Sequence, residues 1–148
     1  MSNLVFNTAL GRVAALAALP AANDALVAVP LEATGLVTDT TMRDYDDLAS
    51  LLAGASNEQT TMGRKTLTGV TVTVDDANDR VAVDCADITW TAATGNAVGA
   101  VVICYDPDTT GGTDADLVPL TKHDVSLTPD GNSFTLSVAD FYRATSTA

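Results

Sequence analysis

From Val70 to Cys85 apolar and polar residues alternate: Val70, Val72 and Val74 fall on one side, Thr71 and Thr73 on the other, and Val81, Val83 and Cys85 resume the pattern. Successive strand side chains point to opposite faces, so this stretch predicts two half-buried strands joined through Asp75-Asp76-Ala77-Asn78-Asp79-Arg80. Ile88 and Trp90 mark a short run after them, and the nearly unbroken AVGAVVICY (97–105) predicts a central strand covered on both faces. LVPLTKHDVSL (117–127) reads as another strand, and the turn signal TPDGN (128–132) precedes the alternating SFTLSV (133–138).

The period differs in the N-terminal third. Leu10, Val13, Ala14 and Ala17 recur at helical spacing within residues 7–19, with Asn7 as an N-cap and Pro20 as a stop. DALVAVPLEA (24–33) predicts a strand that Pro30 confines to an edge or a bulge. A second helix is expected within 44–56, where Leu48, Leu51, Leu52 and Ala55 follow three aspartates and Gly54 helps to end the run. Residues 57–69 have little periodicity and predict a mobile linker. The fold class expected is α+β, predominantly antiparallel β-sheet or sandwich with one or two short helices in the N-terminal third. One domain is expected over 1–148, with an N-terminal arm and helix over 1–20 and a β-rich core over 65–141.

Composition sharpens this picture. Hydrophobic residues make up 47% of the 148 positions but aromatic ones only 5%, so the core is built from Val, Ala and Leu rather than around an aromatic-lined pocket. Nineteen acidic residues against seven basic ones give a net charge of −12, which repels phosphate and disfavours both nucleic acid and anionic membrane as partners. The apolar stretch VAALAALPAA (13–22) has only Arg12 before it and lacks the basic start of a signal peptide. No run reaches the ~18 apolar residues of a membrane span.

Chemistry-bearing motifs are few. A calcium loop counted from Asp75 would need Gly at Arg80 and Glu at Ala86; counted from Asp76 it meets Val81 and Asp87. The turn reading therefore fits better, with Arg80 screening Asp75, Asp76 and Asp79. The second acidic loop, with Asp106, Asp108, Asp114 and Asp116 around Gly111-Gly112, has no compact ligand spacing. Cys85 and Cys104 occupy apolar strand positions and read as buried thiols, and His123 is the single histidine. GxSxG, Walker and GxGxxG motifs are absent. No catalytic, cofactor-binding or metal residue is expected, no cofactor is implied, and Trp90 reads as a core or interface anchor.

Residues 65–106 carry a threonine-rich strand, the turn from Asp75 to Arg80, the segment Ala86-Asp87-Ile88-Thr89-Trp90 and the strand GAVVICY. Together with the opening NLVFNTAL (3–10) and, more loosely, NSFTLSVADF (132–141), they resemble a family of small tailed-bacteriophage virion structural proteins. Residues 20–64 depart from that pattern and contain no Trp. The resemblance implies a non-enzymatic protein of the virion, assembled in the bacterial host cytoplasm. Its expected place is capsid decoration or minor capsid protein, stabilising the outside of the head shell. A minor tail or tail-tip protein is the alternative, and a calcium-stabilised acidic binding module is a second one. The partners expected are the major capsid protein and further copies of the chain, as a homo-oligomer on a symmetric particle, with no nucleic acid and no membrane. Leu4, Val5 and Phe6 before the first helix and Phe141 and Tyr142 near the C-terminus are the expected partner contacts.

Overall fold

A computed structural model describes residues 3–54 and 56–147. The described residues form mostly antiparallel β-structure with short helices, the α+β class expected. The strands are β1 (Leu4–Val5), β2 (Ala25–Glu32), β3 (Lys65–Thr66), β4 (Thr71–Asp75), β5 (Arg80–Asp84), β6 (Ile88–Trp90), β7 (Val98–Asp106), β8 (Val118–Leu127), β9 (Phe134–Leu136) and β10 (Tyr142–Thr145). The helices are α1 (Val13–Ala17), α2 (Asp39–Met42) and α3 (Leu48–Ala53), with a 3-10 turn at Asn7–Ala9. A five-stranded sheet in the order β1-β8-β7-β2-β3 forms the centre, with β10-β5-β4 and β6-β9 as smaller sheets. The unbroken apolar run β7 occupies the middle of the central sheet, as its pattern requires.

Alternation along β2 and β7 divides the core in two. Val27, Val29 and Leu31, with Val102 and Cys104, face Met42 of α2 and Leu48 and Leu51 of α3. Leu26, Ala28, Val101 and Ile103 face the other way, onto Val83 of β5, Ile88 and Trp90 of β6, and Val13 and Ala17 of α1. The central sheet is thus covered by helices on one face and by the smaller sheets and α1 on the other. Burial of this kind stabilises by about 25 cal/mol per Å² of apolar surface.

Several local expectations change in the folded chain. The helix expected over 7–19 is broken: Gly11 has φ +74, a left-handed conformation glycine adopts without strain, so only the 3-10 turn and α1 form. Asn7 is not a cap; its side-chain amide donates to the Asp44 carboxylate at 2.6 Å. The second helix is shorter than expected and is capped by Asp47, whose Oδ1 accepts from the Ser50 N–H at 2.7 Å, worth about 1 kcal/mol. Ala55, the last residue of its predicted repeat, lies outside the described residues. α2 carries no periodicity long enough to be read from sequence.

Pro30 is tolerated because β3 pairs with β2 only at Val27 and Ala28. Past that pairing the Pro30 carbonyl accepts from the Gln59 N–H at 2.9 Å, so that side of β2 meets a loop and the missing proline N–H breaks no ladder. Residues 57–69 are anchored rather than loose. Gln59 is 1% exposed, Leu67 is buried, and Arg64 donates to Glu58 (2.8 and 2.7 Å) and to Asp114 (2.6 and 3.0 Å). This bridge spans 50 residues of sequence, so no local pattern could announce it.

Candidate functional site

The turn from Asp75 to Arg80 closes on itself. Asp79 takes φ +49, tolerated by its short polar side chain, and Asp75 Oδ2 accepts from the Asn78 side-chain amide at 2.7 Å and from Arg80 Nε at 3.0 Å. The Asn78 hydrogen bond, with Arg80 adding to it, holds the Asp75 carboxyl below the usual carboxylate range. Other loop acids are occupied in the same way: Asp108 by Thr110, Asp116 by Thr113 and Asp130 by Asn132. Asp114 is held low chiefly by its hydrogen bonds from Arg64. Among the described residues no group of three or more His, Cys, Asp and Glu side chains could hold a metal ion.

The thiols and the histidine do not assemble into a nucleophilic site. Cys85 and Cys104 are free and buried, and they belong to different cores on opposite faces of the central sheet. Burial, with Asp84 and Asp87 adding to it, pushes the Cys85 thiol up to about 11, and burial drives Cys104 up as well, so neither presents a thiolate near neutrality. His123 Nε2 lies 3.0 Å from the Thr121 hydroxyl and its ring meets Phe141 edge-on at 6.5 Å. Burial, helped by the neighbouring Lys122 charge, holds His123 below its ordinary value.

Trp90 is a core anchor, 1% exposed. Its indole N–H donates to the Gly63 carbonyl at 2.8 Å and its ring stacks on Phe134 at 5.9 Å.

The chain ends expected to touch a partner are brought together, though not as a free surface. Phe6 is fully buried in the helix-side core and Phe141 is 5% exposed in the other, so these two side chains hold the domain together and offer nothing to a partner. Phe6 is the residue at which the arm turns inward: its N–H donates to the Leu120 carbonyl at 3.1 Å. Leu4, Val5 and Tyr142 are half-buried. All five approach or line the junction between β1, β8 and the segment leading into β10, where a cleft of about 470 Å³ opens beside His123, Asp140 and Arg143.

The exposed apolar surface lies elsewhere. Among the described residues the exposed large hydrophobic side chains are Leu10, Leu19 and Val74. Leu10 and Leu19 flank α1 in sequence, and Val74 belongs to β4, one of the strands on which α1 packs. Val74 is paired with Val81, and Val81 with Ala144, which makes a row across β4, β5 and β10 on the same side as the buried Val83. At this end of the row Val74 and Ala144 are exposed and Val81 is half-buried. Alternation in the sequence identifies Val74 as inward-facing but says nothing of what covers it.

A last cluster has no sequence signal at all. Lys122 in β8 is fully buried, and its Nζ donates to Asp39 Oδ1 of α2 at 2.7 Å and to Asp124 Oδ1 at 2.6 Å. Asp124 Oδ2 is buried and has no hydrogen-bond partner. Compared with protein-family models, with curated proteins and with solved structures, the chain matches none of them.

Proposed function

We propose that the chain is a structural protein of a bacteriophage particle, a decoration or minor capsid protein that docks on the outer surface of the head shell. The observation that carries this reading is the apolar row of Val74, Val81 and Ala144 across β4, β5 and β10, left open at Val74, which is 68% exposed; among the described residues the other exposed large hydrophobic side chains are Leu10 and Leu19. The motifs at 3–10 and 65–106 that resemble phage virion proteins support it, since the β4–β5 hairpin is part of that stretch.

This open end would work as a clamp. Each copy buries a few apolar side chains against the shell, and repetition around a symmetric particle adds these modest contacts through effective concentration. A net charge of −12 keeps the free protein soluble before assembly and away from packaged nucleic acid. The loop carboxylates are engaged in their own turns, which favours docking over calcium-dependent binding.

The test is to mix the protein with expanded, tail-less shells of the matching major capsid protein and count bound copies. Saturable binding at a number commensurate with the shell symmetry is expected. Val74→Asp should weaken it at least about tenfold, which corresponds to ~1.4 kcal/mol. Absence of binding to shells, with binding to assembled tails, would place the protein in the tail instead.

A further inference from the structure

We propose that Lys122 and Asp39 form an intramolecular isopeptide bond, with Asp124 as the proton-transferring catalytic residue. The reading is independent of the docking function. Its basis is the position of one fully buried ammonium between two carboxyl groups, Asp39 at 2.7 Å and Asp124 at 2.6 Å. The ammonium is fully buried while the Asp39 carboxyl keeps 26% of its side-chain surface, so the cost of lost hydration falls chiefly on Lys122. Joining the two groups as a neutral amide removes that buried positive charge. Fixed side chains within hydrogen-bonding distance also supply the proximity that such a bimolecular reaction lacks in water.

The geometry assigns the two carboxyls different parts. Asp124 lies two residues from Lys122 on the same strand, so an amide between them would only link neighbours. Asp39 comes from α2, 83 residues away in sequence, and its bond to Lys122 would tie two layers of the fold together. Asp124 then remains beside the reacting nitrogen, and its second oxygen, buried and unpartnered, is available to carry a proton.

In the reaction Asp124 relays a proton from Lys122 Nζ to the Asp39 carboxylate, giving a neutral amine beside a neutral acid. The Nζ lone pair forms a bond to Asp39 Cγ. Asp124 takes a second proton from Nζ and delivers it to the departing hydroxyl, the Cγ–O bond breaks, and one water leaves. Asp124 ends as it began, no electrons are exchanged, and no co-reactant is needed. The product links α2 covalently to β8, so the helical layer can no longer separate from the central sheet.

Intact mass spectrometry of the full chain, purified under denaturing conditions after folding in the cell, tests this directly. The expected mass is one water below the sum of the residues, and proteolysis should yield a branched peptide joining the segments around Asp39 and Lys122. Asp39→Ala, Lys122→Met and Asp124→Asn should each restore the mass without loss of water. A wild-type mass equal to the full sum would overturn the proposal and leave an ion cluster only, whatever the variants do. A water deficit that maps to other residues would overturn it equally.

Discussion

Val102 and Val74 stand in runs that both read as strands, yet the first is fully buried and the second is 68% exposed. Val102 belongs to β7, flanked by β2 and β8 and covered from above by α2 and α3. Val74 sits on β4, an edge strand of the three-stranded sheet. Alternation assigns a side chain to a face of its strand; only the layer laid over that face removes it from water. The middle of the central sheet has such a layer on both faces, whereas the hairpin leaves Val74 bare, and that difference is what makes the hairpin end the candidate docking surface.

Trp90 gives the largest test of the contrast. Trp90→Ala should cost about 3–5 kcal/mol in urea unfolding, because it removes a buried ring and leaves the Gly63 carbonyl without its indole donor. A cost below about 1 kcal/mol would mean that the body is not organised around this side chain.

Acid should loosen the body next. Burial depresses the folded-state His123 value below its ordinary one, so the unfolded chain takes up a proton first as pH falls. The stability tied to neutral His123 is therefore fully present above the ordinary imidazole value of about 6.5 and declines as pH drops through it toward the folded value. His123→Asn should flatten that part of a pH–stability curve; an unchanged slope would show that other groups carry it. Loss tied to Asp114 belongs to a separate, more acidic window: its stabilisation is present above the ordinary carboxylate range and is lost as pH falls through its depressed folded value.

The smallest effect is expected at Val74. Val74→Ser should change unfolding stability by no more than about 0.5 kcal/mol, since the side chain is already largely in water. A loss of 2 kcal/mol or more, on the order of a buried valine, would show that Val74 is covered in solution.

The candidate sites differ in how far they were legible. The closure of Asp75 on Asn78 and Arg80 was readable because those partners lie within five residues of one another, whereas the bond from the Ser146 N–H to the Asp79 carbonyl left no local trace. The chain ends were misread at Phe6 and Phe141: large apolar residues beside polar termini suit a partner or a core equally, and folding placed both in the core. Nothing in the run around Lys122 signals its burial, because its partner Asp39 comes from a four-residue helix too short to leave a periodic trace.

Period and punctuation in the sequence by themselves determined the strand-rich class, the central place of β7, the β4–β5 hairpin and the burial of both thiols. These follow from neighbours along the chain, where alternation and turn residues act over a few positions. Tertiary structure alone decided which faces are covered, that Gly11 breaks the first helix, that Arg64 ties residues 57–69 to the acidic loop, and that Lys122 meets Asp39. Each of those depends on groups far apart in sequence, and their pairing is fixed only when the layers close and exclude water.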